Sequence, residues 1–151
     1  NFKYFFEDNL IFFSNYESHK AQNFIDNDKV CINFWWPNIE VQVRIEGTIS
    51  KCEEKFSDEH FQGRKPEKNV AALVSEQSKK IESYDLLKQK YEAMKERVEN
   101  GDYSHSRPDN WGGYQIKVHF FEFWEANDDR LNYRECYEKD NESWSKYFLQ
   151  S

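Results

Sequence analysis

Residues 40–52, EVQVRIEGTISKC, alternate between apolar and polar side chains. In an extended chain, successive side chains point to opposite faces, so Val41, Val43 and Ile45 share one face. Gln42 and Arg44 then share the other. A helix repeats every 3.6 residues and cannot separate the two sets in this way. The segment therefore predicts a half-buried strand, with one face of a sheet turned toward a core.

Further strands and helices are predicted along the chain. Aromatic and β-branched runs predict strands at YFF and NLIFF around a turn at residues 7–9, a buried strand KVCINFWWP, and strands GGYQIKVHFFEFWEA and 130–137. Helical spacing predicts short helices within NYESHKAQNFIDND, SDEHFQG and PEKNVAALVSEQS, and a long helix within SYDLLKQKYEAMKERVENG. We expect Ser57 and Ser83 to cap their helices and Gly101 to end the long one.

The order of these elements, β-α-β-β-helices-β-β, predicts an α+β fold with a mostly antiparallel sheet or barrel. The length of 151 residues suits one domain spanning residues 1–151. Because the chain opens on NFKYFFEDNL without a methionine, we expect that an N-terminal segment is missing from this sequence.

The net charge and the cysteine pattern indicate which ligands and which cellular compartment suit this chain. The net charge of -7 makes the chain a poor general binder of nucleic acid, so an anionic ligand needs a local group of cations. Cys31, Cys52 and Cys136 are odd in number and widely spaced, which favours a reducing, cytoplasmic compartment over a zinc site or disulfides. No apolar run approaches the roughly 20 residues that span a bilayer, and no signal peptide is visible.

Several cations lie beside polar and aromatic residues. Alone, each is typical of a solvated surface. Together they suit a flat, phosphorylated ligand, because guanidinium and ammonium groups bind phosphate and amides meet a heteroaromatic edge. In a strand over residues 130–137, Arg130, Asn132 and Arg134 share a face, and the two arginines repel unless an anion lies across them.

Five segments in order resemble the pyridoxamine 5′-phosphate oxidase family: FFSNYESHKA, QVRIEG, ALVSEQS, WGGY and EFWEANDDRLNYR. The similarity runs from about Phe2 to Arg134, and the final WSKYFLQS is similar to the family's last strand. It implies an FMN-binding split β-barrel whose flavin site needs residues from both subunits of a homodimer. It also implies oxidation of pyridoxamine or pyridoxine 5′-phosphate to pyridoxal 5′-phosphate, with a hydride passing to FMN and oxygen becoming hydrogen peroxide.

The resemblance assigns residues by position. FMN contacts in the family correspond to Phe13, Ser14, His19, Lys20, Gln42, Gln77, Ser78, Trp124 and Arg134. Contacts to the substrate phosphate correspond to Lys3, His60, Arg64 and Lys68. Arg130 and Asn132 correspond to the pair beside the substrate ring, and we expect them to be catalytic and substrate-binding. No metal is implied.

Departures from the family pattern leave two functions open. Asn132 stands where the family has a histidine, and an amide does not ionise near neutral pH. If that histidine moves a proton, its loss lowers the rate on the order of 10²–10⁴-fold. His19 replaces an arginine, His60 a tyrosine and Lys68 a serine, and the family's upstream arginine segment is absent. The chain is therefore an FMN-dependent oxidase, or a relative that binds FMN or pyridoxal 5′-phosphate without turnover.

Overall fold

The protein is described by a computed structural model that covers residues 2–103 and 106–151. Within these ranges, one antiparallel sheet contains β1 (Tyr4–Phe6), β2 (Asn9–Asn15), β3 (Lys29–Trp36), β4 (Val41–Lys51), β5 (Trp111–Glu125), β6 (Tyr133–Asp140) and β7 (Ser143–Phe148). The helices are α1 (His19–Asp26), α2 (Glu54–Gly63), α3 (Val70–Val74) and α4 (Tyr84–Glu99), with a 3₁₀ turn at Pro66–Lys68. The predicted α+β, antiparallel fold is confirmed.

Strand β5 organises the sheet. On one side it pairs with β4 over nearly its whole length. On the other side its first half pairs with β2 and its second half with β6. The remaining strands extend the sheet outward, β1 beside β2, β3 beside β4 and β7 beside β6. Residues at the two ends of β5 therefore meet different neighbours.

The alternation of β4 is confirmed in detail. Val41, Val43, Ile45, Gly47 and Ile49 are buried, while the residues that alternate with them along this strand are half-exposed. They pack against the inward face of β5 and against Ala21 of α1. Each fully buried aliphatic side chain contributes roughly 1.5–3 kcal/mol, so this face is the main stabilising layer of the sheet.

Three sequence expectations about the elements were wrong. Strand β3 is not buried: β4 is its one partner strand among the described residues, and Trp35 and Trp36 are 53% and 45% exposed. Ser57 does not cap α2, because the helix begins three residues earlier and Ser57 is buried inside it. The expected helix over residues 66–78 is a 3₁₀ turn, a five-residue helix and a turn.

Other expectations were right. Ser83 caps α4 by accepting a hydrogen bond from the Leu86 amide at 3.1 Å, and Gly101 follows its end with a φ of +72°.

Gly112 permits a close approach, because a Cβ there would lie 2.1 Å from the Tyr16 hydroxyl. None of the helices in the described part of the chain has the length and apolar character needed to cross a lipid bilayer.

Candidate functional site

An aromatic and cationic cluster lies at the first residue of β5. We call it the Trp111 cluster, and its members are Tyr4, Phe13, His60, Arg64 and Trp111. The rings of Phe13 and His60 stack with centroids 3.6 Å apart, and Phe13 stacks on Trp111 at 5.3 Å. The Arg64 guanidinium lies over the Trp111 ring at 5.0 Å. Strands β1, β2 and β5 and helix α2 thus bring together residues far apart in the sequence.

His60 is neutral in this cluster at neutral pH. Burial, together with the smaller effects of the nearby charges of Arg64 and Lys3, lowers the pKa of its imidazole to about 4. The Tyr4 hydroxyl is hydrogen-bonded to His60 Nδ1 at 2.8 Å. If Tyr4 donates, the ring carries its proton on Nε2 and can donate it to an anion. Sequence reasoning missed Tyr4, because its partner lies 56 residues away.

A cavity of about 260 Å³ opens beside Trp111. Arg64 and Lys68 line it, together with Asn15, Ala71, Ala72, Ser75 and Gln77. Arg64 donates from Nη2 to the carbonyl oxygen of Lys68, but its buried Nη1 has no hydrogen-bond partner among the described residues. Burial also lowers the pKa of Arg64. A buried donor without a partner is costly, and an anion in the cavity would satisfy it.

Two predicted cofactor contacts adjoin the same cavity, and one does not. The side-chain oxygen of Gln77 accepts hydrogen bonds from Ser14 Oγ at 3.3 Å and from the Asn15 amide at 3.4 Å. Ser78 follows in a left-handed conformation, with φ of +73°. It lines a separate cavity of about 220 Å³ beside Lys79 and other residues of the α3–α4 connection. The chain therefore divides the Gln77-Ser78 pair between two cavities.

The other predicted cofactor residues lie toward the far end of β5. Gln42 of β4, Trp124 of β5 and Arg134 of β6 are direct register partners across three strands. We call them the Trp124 row. Register partners in an antiparallel sheet share a face, so the three side chains form one continuous strip.

The guanidinium of Arg134 is held by a buried carboxylate. Glu122, whose side chain is 5% exposed, accepts from Arg134 Nε at 2.6 Å through Oε1 and from Arg44 Nε at 2.8 Å through Oε2. Burial alone would raise the pKa of Glu122, but the hydrogen bonds from the two arginines outweigh it and the pKa lies below its ordinary value. Arg134 also donates from Nη1 to the Gln150 carbonyl at 3.0 Å.

The expected shared face of Arg130, Asn132 and Arg134 was wrong. Strand β6 begins at Tyr133, and Arg130 lies in the preceding turn with φ of +60°, outside the β region. Asn132 holds that turn, because its side-chain oxygen accepts from the Asn127 amide at 3.2 Å. The anion across the strand arginine is Glu122, and the two arginines it joins are Arg134 and Arg44.

Residues His19 and Lys20 lie at a third place, the start of α1. His19 is exposed, and Lys20 lines an apolar groove of about 360 Å³ with Phe12 and Phe24. Ser18 precedes the helix and is buried, yet its Oγ has no hydrogen-bond partner among the described residues. A free hydroxyl at a helix N-terminus suits an anion. The sequence signal for this group is a serine directly before a predicted helix.

The predicted site residues therefore fall mainly at the two ends of one strand. Trp111 and Trp124 are the first and the fourteenth residue of β5. At about 3.3 Å per residue, about 40 Å of strand path separates them. The Trp111 cluster and the Trp124 row therefore lie at opposite ends of β5.

Family comparisons cover nearly all of the chain. Residues 2–97 match the family described as pyridoxamine 5′-phosphate oxidase, and residues 111–151 match the pyridoxine 5′-phosphate oxidase C-terminal dimerisation region. A pyridoxine/pyridoxamine 5′-phosphate oxidase of Colwellia psychrerythraea is 36% identical over 95% of this chain and 65% of its own length. A second, from Hydrogenovibrio crunogenus, is 38% identical over 97% of this chain and 68% of its own length. The chain thus spans about two thirds of these relatives.

Solved structures share the fold. PhzG from Burkholderia lata 383, in complex with tetrahydrophenazine-1-carboxylic acid, superposes with a TM-score of 0.85 at 25% identity and covers 99% of this chain and 72% of its own. A pyridoxamine 5′-phosphate oxidase-related, FMN-binding protein from Nostoc punctiforme gives a TM-score of 0.74 at 15% identity, covering 99% and 78%. The sheet described above is therefore the split barrel of these proteins.

Proposed function

This chain belongs to the pyridoxamine 5′-phosphate oxidase family, and on that premise we propose that it oxidises pyridoxine or pyridoxamine 5′-phosphate to pyridoxal 5′-phosphate with FMN as cofactor. The observation that carries the substrate assignment is the cavity at the Trp111 cluster. It combines two cationic side chains, Arg64 and Lys68, with a buried guanidinium nitrogen that lacks a partner among the described residues.

The phosphate of the substrate supplies what this cavity lacks. Arg64 Nη1 and the Lys68 ammonium donate charge-assisted hydrogen bonds, each contributing roughly 1.5–3 kcal/mol. Lys3 is close enough to lower the pKa of His60 and adds a third positive charge. Because His60 is neutral, it can donate a hydrogen bond from Nε2 to the phosphate without repelling the Arg64 guanidinium. This set holds a dianion locally, although the whole chain carries a charge of -7.

FMN suits the donors that the chain presents elsewhere. The buried, unpartnered Ser18 Oγ at the start of α1 fits a phosphate, with Lys20 supplying charge. The Trp124 row provides an amide, an indole and an oriented guanidinium for a flat polar ring, and Gln77 with Ser14 adds further hydrogen-bonding groups. When bound, FMN supplies the two-electron acceptor for the oxidation, and dioxygen reoxidises it with release of hydrogen peroxide.

A homodimer completes the site. The match to a dimerisation region and the roughly 40 Å of strand path between the Trp111 cluster and the Trp124 row support a site to which each subunit contributes one of them. Several large apolar residues near the Trp124 row are exposed, and a subunit interface would cover them: Trp35, Trp36, Ile39, Leu131 and Phe148. Arg130, in the turn that follows β5, then orients the substrate held by the other subunit's Arg64.

A second function is favoured by one observation. Asn132, at the family's histidine position, is engaged in holding its own turn through the Asn127 amide. An amide cannot transfer a proton near neutral pH, so the chain would bind FMN or pyridoxal 5′-phosphate without oxidising substrate.

Peroxide release from the FMN-loaded protein separates the two functions. We expect the purified protein to be yellow and to release hydrogen peroxide when pyridoxine 5′-phosphate is added. Unphosphorylated pyridoxine is the matched control and should react far more slowly, because it lacks the group that Arg64 binds. Flavin binding without peroxide supports the non-catalytic function, and a protein that binds neither FMN nor pyridoxal 5′-phosphate contradicts both.

A further inference from the structure

Glu122 is a buried charge whose position is fixed from three strands. It lies on β5 between Arg44 on β4 and Cys136 on β6, its direct register partners. A carboxylate with a side chain 5% exposed is costly unless it is paired and hydrogen-bonded. Both of its oxygens accept from guanidinium groups, one from each neighbouring strand.

Its two arginines differ in what else holds them. Arg44 has a second carboxylate partner, Glu46, and lies over the Phe120 ring at 4.9 Å. Arg134 has Glu122 as its carboxylate partner among the described residues, and its other bond goes to the Gln150 carbonyl. Loss of Glu122 therefore leaves Arg44 anchored but releases Arg134 at its Nε.

Arg134 also belongs to the Trp124 row, and its Nη2 has no hydrogen-bond partner among the described residues. With Nε and Nη1 both committed, the direction of Nη2 is set by Glu122 and the C-terminal backbone. A planar guanidinium held at two nitrogens loses little freedom when the third binds a ligand.

We propose that Glu122 is a positioning residue for FMN binding, acting through Arg134 by fixing the orientation of its guanidinium. The proposal rests on the proposed function, in which Arg134 contacts FMN. It goes further by assigning a role to a carboxylate that, as an anion, opposes FMN directly. Charge alone and positioning therefore predict opposite effects when Glu122 is neutralised.

The test is a titration of apoprotein with FMN, followed by flavin fluorescence, in wild type and Glu122→Gln. Positioning predicts affinity about tenfold weaker, which corresponds to about 1.4 kcal/mol of binding free energy. Removal of a negative charge alone predicts tighter binding. The matched control is Glu46→Gln, which removes the other carboxylate on Arg44 without touching Arg134, and we expect wild-type affinity.

A double-mutant cycle with Arg134→Met tests whether Glu122 affects FMN binding through Arg134. If Glu122 acts through Arg134, adding Glu122→Gln to Arg134→Met weakens FMN binding no further. Equal weakening in both backgrounds, or unchanged or tighter binding in Glu122→Gln alone, overturns the proposal.

Should Glu122→Gln fail to fold, as judged by thermal unfolding of the apoprotein, Glu122→Asp replaces it. The shorter carboxylate keeps its charge, and wild-type FMN affinity in that variant likewise overturns the proposal. Wild type that ignores FMN instead contradicts the proposed function.

Discussion

The two ends of β5 differ in how their arginines are paired. Beside the Trp124 row, Arg134 and Arg44 both pair with the Glu122 carboxylate, which offsets their charge within the chain. At the Trp111 cluster, half-buried Arg64 lies over an indole, and among the described residues its buried Nη1 has no hydrogen-bond partner and its guanidinium has no carboxylate partner. The arginines at one end thus have a carboxylate partner within the chain, whereas Arg64 at the other end has none among the described residues.

This difference separates stability from binding. Arginines paired within the fold stabilise it, because removing either partner of a buried ion pair leaves the other charge buried and unpaired. An arginine buried without a full set of partners costs folding energy, and that cost is recovered only when an anion binds. Substitutions at the two ends should therefore differ in how much they lower the stability of the apoprotein.

The largest effect is expected at the internally paired end. Glu122→Ala removes the carboxylate shared by two half-buried arginines, and we expect the free energy of unfolding to fall by about 3 kcal/mol. Chemical denaturation of the apoprotein measures this. Glu46→Ala, which removes an exposed partner of Arg44, should cost under about 1 kcal/mol. Equal losses in the two variants would contradict the distinction between the ends.

Arg64→Gln is expected to act on ligand binding instead. We expect the KM for pyridoxine 5′-phosphate to rise roughly 10–100-fold, because one or more charge-assisted bonds to phosphate are lost. The melting temperature should stay unchanged or rise, since a buried, incompletely paired cation is removed. Steady-state kinetics and thermal unfolding check the two halves, with Arg97→Gln on the surface of α4 as control. A large drop in melting temperature with unchanged KM would reverse the assignment.

His60 makes the Trp111 cluster sensitive to acid. Its folded-state pKa of about 4 lies below the ordinary value of 6.5, so the folded state favours the neutral ring. Stability from this source is complete above about pH 6.5 and is lost as pH falls toward 4. Because His60 is only partly buried, we expect a loss of about 1 kcal/mol. Unfolding of His60→Gln should lack this part of the pH dependence, whereas Tyr4→Phe, which keeps the imidazole, should retain it.

The smallest effect is expected in the turn before β6. Asn132→Ala removes the acceptor for the Asn127 amide, and a neutral hydrogen bond contributes about 1 kcal/mol. We expect kcat/KM to fall about fivefold because the turn that carries Arg130 loosens. Asn132→Asp keeps an acceptor oxygen and should stay near wild type. A larger loss in the Asp variant than in the Ala variant would show that the neutral amide, not its acceptor, is needed.

Local sequence patterns predicted most strands and helices of this molecule, but not how these elements and their side chains contact one another. Alternation placed β4 correctly because the period of a strand is visible within a few residues. Spacing also placed α4 and its Ser83 cap. The buried strand expected at β3 failed because its apolar residues lie on a sheet edge, and edge position depends on topology. The extension of β6 to Arg130 failed because the turn is fixed by Asn127 and Asn132, whose bonds override strand propensity.

The candidate site shows the same limit. Resemblance identified Arg64, Gln77 and Arg134, and the structure groups them at the ends of β5 where no local pattern could. It could not reveal that Glu122 pairs with Arg134, because that contact depends on the register of β5 against β6. Nor could it find Tyr4 beside His60, since hydrogen bonds across 56 residues leave no periodic trace.

Subunit complementation tests most directly whether the two ends of β5 form one site. Arg64→Gln and Arg130→Gln each disable one end, and each protein alone should be nearly inactive at low substrate concentration. After mixing, unfolding and refolding together, heterodimers contain one site with both substitutions and one with neither. We expect about a quarter of wild-type peroxide release from a random mixture of dimers. Recovery of no activity from refolded mixtures, with the unmixed wild type recovering fully, would contradict a site shared between subunits.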